Sequence, residues 1–232
     1  LVTGKSLVDI TAMLVRQPSR ESLRMARLIR MVKPRYTMVR NKNLLNLYRL
    51  AQQINHDGVR GDFVECGVWN GGSSTMITAA FRDSGRPRDS WLFDSFEGLP
   101  PPSENDGPEE RKHYFKGLNK GSIENVRRAF ARLGLPMDRV HFVKGWFQDT
   151  LPHAAVERIA LLHIDADWYD SVLMVLEQLY DRISPGGYVV FDDYGYWEGC
   201  DRAAHDFLTA RGLPLSLLKR VGTMGAYFQK PA

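Results

Sequence analysis

Two segments carry the residues best suited to chemistry: Leu161-Leu162-His163-Ile164-Asp165-Ala166-Asp167 and Val189-Val190-Phe191-Asp192-Asp193. Each is a short apolar run ending abruptly in carboxylates, the pattern of a buried strand that delivers charge at its C-terminal tip. Ionised carboxylates resist burial and repel one another. Four of them at one sheet edge therefore imply a bound cation, a proton-transfer task, or both.

The flanking elements must place those tips. Residues 62–67 read as a first buried strand ending in Glu65-Cys66-Gly67, followed by the loop Val68-Trp69-Asn70-Gly71-Gly72 and a helix to about residue 81. Strand, glycine loop and helix form the opening unit of a doubly wound α/β sheet. The dinucleotide pattern G-x-G-x-x-G is absent. Glu-x-Gly-x-x-x-Gly stands in its place, the looser spacing of folds that bind S-adenosylmethionine, although a glycine-rich turn can also serve packing alone. A second strand, 91–96, contains Asp94, placed either to accept hydrogen bonds from ribose hydroxyls or to cap a turn. Further strands are expected at 140–145, 159–165 and 188–192, the last entered through the turn Ser184-Pro185-Gly186-Gly187. Apolar periodicity predicts helices at 123–133, 170–182 and 199–211, and residues 215–220 and 224–229 read as a closing antiparallel pair. Residues 103–120 show little periodicity and are expected to be a substrate lid or a disordered insertion.

Upstream, 6–15 and 20–32 read as amphipathic helices broken at Gln17-Pro18-Ser19, and 43–55 as a third. The organisation expected is an N-terminal helical cap, 1–58, and a catalytic domain, 59–232. Arg16, Arg20, Arg24 and Arg27 recur at helical spacing and would line one face. That face suits solvent or a subunit contact, hence a homo-oligomer, better than an anionic partner, and no nucleic-acid motif accompanies it.

The chain has 232 residues, 44% hydrophobic and 25% charged, with a net charge of +4, an ordinary globular composition able to bury a core. No apolar stretch approaches the roughly 20 residues of a membrane span, and no charged-then-apolar leader is evident. A soluble cytoplasmic protein is expected, and the start at Leu1 suggests a trimmed N-terminus. The two cysteines, Cys66 and Cys200, are too few for a disulfide framework or zinc site, and Cys66 reads as a small buried hydrophobe.

From about Tyr36 onwards the motifs resemble class I S-adenosylmethionine-dependent methyltransferases, and within them the TylF-type macrocin and mycinamicin sugar O-methyltransferases, whose relatives include the novobiose O-methyltransferase. The carriers are Glu65-Cys66-Gly67-Val68-Trp69-Asn70-Gly71-Gly72, Asp94-Ser95-Phe96-Glu97-Gly98, Gly145-Trp146-Phe147-Gln148-Asp149-Thr150-Leu151-Pro152, Asp165-Ala166-Asp167, Ser184-Pro185-Gly186-Gly187 and Asp192-Asp193-Tyr194. The resemblance implies a mostly parallel Rossmann-like sheet with an antiparallel C-terminal strand. It implies Mg²⁺ held by Asp165, Asp192 and Asp193, with Asp167 as general base and Asp165 beside it in the catalytic and cofactor-binding set. It further implies that Glu65, Gly67, Val68, Trp69 and Gly71 line the methionine side, that Asp94 and Ser95 hold the ribose, and that Trp146 and Phe147 border the adenosine. The resemblance also implies that Thr37 and Met38 fold over the cofactor, while the aromatic pair could instead fill core and Asp167 could only cap the helix near Trp168.

The implied activity is methyl transfer from S-adenosylmethionine to a hydroxyl on a glycosylated metabolite or glycan. A catechol-type methyltransferase, a non-catalytic binding module and a nicotinamide oxidoreductase are the competing classes. His163 reads as a satisfied core residue, while His113 and His205 are alternatives for base or substrate contact.

Overall fold

A computed structural model describes residues 20–231. The helix expected over 6–15, with Arg16, lies outside the described residues. The first described elements are two helices, α1 (Arg20–Val32) and α2 (Asn41–His56). Strands β1 (Asp62–Cys66), β2 (Ser90–Asp94), β3 (Val140–Lys144), β4 (Ile159–Ile164) and β5 (Ile183–Phe191) then alternate with helices. Those helices are α3 (Gly72–Asp83), α4 (Pro108–His113), α5 (Ile123–Arg132), α6 (Phe147–Thr150) and α7 (Tyr169–Leu179). After β5 come α8 (Glu198–Ala210), β6 (Lys219–Arg220) and β7 (Ala226–Gln229).

The seven strands form one sheet in the order β3-β2-β1-β4-β5-β7-β6. The first five are mutually parallel, whereas β7 is antiparallel to β5 and β6 to β7. Period-two alternation assigns each strand residue to one of two cores. Phe63, Leu161 and Tyr188 pack under α1, α2, α3 and α5. Val64, Leu162, Val189 and Phe191 pack under α7 and α8. Met25, Ile29 and Val32 of α1 and Leu44 and Leu47 of α2 belong to the first core; α2 packs on β4 and β5, and α1 packs on α2 and α3. Arg24 and Arg27 face solvent, and Arg24 pairs with Asp83 at the end of α3. Among the described residues no helix is long and apolar enough to cross a membrane.

Two segments differ from their sequence reading. Ser184-Pro185-Gly186-Gly187 is not a turn before β5 but part of it. The register between β4 and β5 shifts there, and Gly186, at φ 79°, donates to the Lys230 carbonyl while Gly187 accepts from Lys230. A strand that breaks register at glycines keeps its backbone bonds by bulging. The region before β6 contributes a two-residue strand only, preceded by a 3₁₀ turn at Leu215–Leu217.

The insertion 103–120 is ordered and contains α4. Its carboxylates cap helices of the main domain. Asp106 Oδ1 accepts from the Tyr169 N–H at 2.7 Å, at the first residue of α7, and Oδ2 accepts from the Ser103 N–H at 2.8 Å. Glu110, 1% exposed, accepts from the Gly199 N–H at 3.1 Å in the first turn of α8. The Trp168 indole donates to the Pro100 carbonyl at 2.9 Å. A helix N-terminus presents unpaired N–H groups and partial positive charge, so a buried carboxylate is stable there. Asp106→Ala removes one cap and one anchor and is expected to cost about 1–2 kcal/mol. A lowered urea midpoint together with faster proteolysis within residues 103–113 is the expected result; unchanged cleavage rates would show that the insertion is held by something else.

Candidate active site

The order of the sheet reverses between β1 and β4, and in open α/β sheets ligands bind in the crevice beyond the strand C-termini at such a point. The backbone there is tightly arranged. Gly67 donates to the Phe93 carbonyl at 2.9 Å, and Asp165 donates to the Cys66 carbonyl at 2.9 Å. At φ 90°, Gly67 lies so close to the Asp165 carbonyl that an added Cβ would overlap it. Among the described residues, four non-glycine residues hold positive φ: Trp69 (48°), Phe96 (54°), Asn119 (58°) and Asp167 (55°). Three of them follow the tips of β1, β2 and β4, where neighbouring structure must sustain conformations that cost of order 1–3 kcal/mol each.

Asp94 ties the β2 tip to the β1 loop. Its Oδ2 accepts from the N–H groups of Val68 (2.7 Å) and Trp69 (2.8 Å), and its Oδ1 accepts from Phe96 (2.6 Å). Burial raises its pKa against those three donors. Ser95 Oγ donates to the Gly98 carbonyl at 2.9 Å. Asp94 and Ser95 line a cleft floored by Gly67 and walled by Trp146, Phe147 and Trp168. A second cleft, bounded by Tyr36, Thr37, Met38, Val68 and Trp69, meets the first along Gly67, Asp94, Gly98, Leu99 and Asp165. Two joined clefts over a glycine with no side chain form a shape that an elongated nucleoside with an amino-acid arm can fill.

Glu65 does not face either cleft, contrary to its expected place beside the methionine. It is 0% exposed, with Ser74 Oγ donating to Oε2 and His163 Nδ1 2.7 Å from Oε1. The pleat explains this: Glu65 and His163 are register partners on β1 and β4, so both side chains turn under α3. Gly71 is likewise not on a cleft wall; at φ 79° it starts α3 against Val126.

The carboxylates converge as the strand-tip pattern requires. Ligand oxygens of Asp165, Asp192 and Asp193 lie within 4.8 Å of one another. Asp192 and Asp193 are buried, and among the described residues none of the three forms an ion pair. Burial, then mutual repulsion, pushes Asp165 and Asp193 well above the usual carboxylate range. Asp192 is raised by burial too, opposed by His163, Lys33 and a 2.7 Å hydrogen bond from Asn43 Nδ2 to Oδ1. A compact, oxygen-only set is the kind of ligand group that a hard divalent ion takes.

Asp167 stands beside this set, with its N–H donating to Asp193 Oδ2 at 3.3 Å. It does not cap α7, because Asp106 does. Burial raises its pKa to about 6, with the Trp197 hydrogen bond opposing the rise. The Trp197 indole N–H donates to Asp167 Oδ1 at 2.8 Å. A third cleft opens outward from Asp167 and Asp193, lined by His113, Phe115, Trp168, Tyr196 and Trp197. His113 thus lines the outer cleft without a hydrogen bond to Asp167; His205 bonds instead to the Tyr194 hydroxyl at 2.7 Å, away from the clefts. His163 is buried beneath the site, but only its Nδ1 is satisfied, by Glu65, and Nε2 has no hydrogen-bond partner among the described residues.

Trp197, Asp106 and Glu110 escaped the sequence reading. The run Gly107-Pro108-Glu109-Glu110 is a helix-start signal that marks α4, but nothing local reveals what those acids or that indole touch.

The family model for macrocin O-methyltransferase (TylF) matches residues 12–230. A tetracenomycin rhamnosyl 4'-O-methyltransferase from Streptomyces olivaceus is 41% identical over 193 residues, covering 81% of this chain and 74% of the relative. The mycinamicin III 3''-O-methyltransferase of Micromonospora griseorubida is 34% identical over 203 residues, covering 85% and 79%. The solved structure of the O-methyltransferase NovP superimposes with a TM-score of 0.78 at 31% identity, over 98% of this chain and 100% of that one. An S-adenosylhomocysteine-bound methyltransferase from Podospora anserina, 15% identical, shares the fold at a TM-score of 0.60, with 100% and 97% covered. The clefts, the strand-tip carboxylates and these matches agree, and the chain belongs to the macrocin O-methyltransferase (TylF) family of S-adenosylmethionine-dependent O-methyltransferases.

Proposed function

We propose that the acceptor is a hydroxyl of a sugar carried by a natural product, that Asp165, Asp192 and Asp193 hold Mg²⁺, and that Asp167 is the general base. The observation that carries this reading is the position of the buried carboxylates between the joined clefts and the aromatic outer cleft. The relatives whose names specify rhamnosyl and mycinamicin acceptors support the sugar.

When bound, S-adenosylmethionine supplies an activated methyl group and Mg²⁺ a Lewis acid that eases loss of the hydroxyl proton. The remaining work falls to the chain. Gly67, Val68, Trp69, Thr37 and Met38 enclose the methionine arm, Asp94 and Ser95 meet the ribose, and Trp146 and Phe147 border the adenine. Glu65 acts from behind, holding the start of α3 through Ser74. Aromatic walls suit the apolar faces of a sugar ring and exclude water near the reacting oxygen. Asp167, on the wall of the outer cleft and with one oxygen outside any hydrogen bond among the described residues, is placed for proton abstraction.

Three outcomes test this reading. With methyl-labelled S-adenosylmethionine, label is expected in 8-demethyl-8-(2,3-dimethoxy-α-L-rhamnosyl)-tetracenomycin C and not in 3,4-dihydroxybenzoate; the reverse selectivity would favour a catechol-type enzyme. Asp167→Asn is expected to lower kcat by about 10²–10⁴-fold, and Asp192→Asn to abolish Mg²⁺-dependent turnover, both with S-adenosylhomocysteine affinity kept in calorimetry. Retained turnover in either variant removes that residue from its role.

Stability provides the third. Carboxylates raised in the folded state contribute stability below the ordinary value of 3.8 and lose it as pH rises, through about 6 for Asp167, with Asp165 and Asp193 shifted in the same direction. Mg²⁺ is therefore expected to raise the melting temperature more at pH 8 than at pH 5.5. Equal gains at the two pH values would contradict metal binding at this cluster.

A further inference from the structure

Trp197 touches the proposed base, the outer cleft and the insertion together. It sits at the start of α8, and its position is set by the metal-type ligand nearest to it in sequence. The N–H groups of Tyr196 (2.9 Å) and Trp197 (3.2 Å) both donate to the Asp193 carbonyl, closing a turn that begins at Asp193. From that turn the indole reaches back to Asp167 Oδ1 at 2.8 Å, while the Asp167 N–H donates to Asp193 Oδ2 at 3.3 Å. The two contacts close a ring through Asp193, Trp197 and Asp167.

The indole is also boxed edge-on by three aromatic rings. Tyr196 lies at 4.6 Å between centroids, Trp168 at 5.4 Å and His113 of α4 at 5.7 Å. Trp168 is itself tied to the loop that leads into the insertion, its indole donating to the Pro100 carbonyl. Asp167 needs such support, since its backbone is held at φ 55° and its χ angles alone would leave the carboxylate free to turn.

We infer that Trp197 is a positioning residue for methyl transfer: its indole N–H occupies Asp167 Oδ1 and so presents Oδ2 to the acceptor hydroxyl. This rests on the reading of Asp167 as the base. In the step it serves, the acceptor O–H bond breaks and its proton goes to Oδ2. The acceptor oxygen forms a bond to the methyl carbon, and the breaking S–C pair stays on sulfur as the neutral thioether. An indole N–H cannot accept a proton, so it stays on Oδ1 throughout and leaves a single basic atom aimed at the outer cleft. Phenylalanine would preserve the ring contacts and delete only the donor.

The test compares Trp197→Phe with Trp197→His, which restores a ring N–H, using the rhamnosyl tetracenomycin probe, labelled S-adenosylmethionine and saturating Mg²⁺. The Phe variant is expected to lose about 10-fold or more in kcat, the size of one hydrogen bond to a charged group. Its acceptor KM and S-adenosylhomocysteine affinity should stay within about twofold, since the loss belongs to the chemical step. The His variant should recover part of kcat, and a crystal structure of the Phe variant should show the Asp167 carboxylate rotated. If Trp197→Phe does not bind S-adenosylhomocysteine, Trp197→His against Trp197→Leu makes the same comparison of donor with no donor. Wild-type kcat in the variant lacking the donor, a His variant no better than that variant, or a loss matched by weaker S-adenosylhomocysteine binding would overturn the inference. Asp167→Asn separates the two levels: if it is inactive while Trp197→Phe is unaffected, only the positioning role fails. If Asp167→Asn is fully active, the base assignment fails and the inference with it.

Discussion

Four carboxylates packed at the ends of two adjacent parallel strands are an arrangement that folding alone does not favour. Each must leave water, and each raises the cost of ionising the next. The neighbouring structure reflects that cost. Asn43 of α2 reaches across to Asp192, Trp197 reaches to Asp167, and no arginine or lysine forms an ion pair with the cluster among the described residues. Carboxylates left in that state keep their protons or acquire a cation, and the proposed Mg²⁺ is the second of these. Everything else in the site follows from where those strand tips lie.

The sheet brings them there through close backbone approach. Gly67 is pressed against the Asp165 carbonyl, and Asp94 grips the N–H groups of the β1 loop, so the tips of β1, β2 and β4 form one rigid rim. The insertion then closes the outer side by capping α7 and α8 with Asp106 and Glu110. A segment whose acids satisfy the N-termini of the very helices that follow Asp167 and Asp193 is part of the site's frame. Its ordered state and its contact with Trp197 through His113 connect the acceptor side to the proposed base.

Legibility in the sequence followed the range of the interaction. Strand tips were readable because an apolar run that stops at a carboxylate is a local signal, and α7 because its apolar face repeats every three to four residues. For Glu65 the motif locates the residue on the chain but not the face of the pleat on which its side chain falls. Once β1 pairs with β4 in register, Glu65 must lie beside His163. The Asp106 cap spans 63 residues, the Glu110 cap 89 and the Trp197 contact 30, and no local pattern encodes partners at those separations. The SPGG segment reads as a turn by composition, yet the sheet absorbs it, because pairing with Lys230 gives its backbone groups partners that a free turn would leave to water.

The central claim is that the Asp165, Asp192 and Asp193 cluster is a divalent-cation site built into the sheet. Electron paramagnetic resonance of Mn²⁺ added to the S-adenosylhomocysteine complex tests it directly, without an acceptor. The account predicts one immobilised Mn²⁺ per chain, lost when Asp192 and Asp193 are both replaced by Asn while the cofactor product still binds. No immobilised Mn²⁺, or a signal that survives both substitutions, would contradict it.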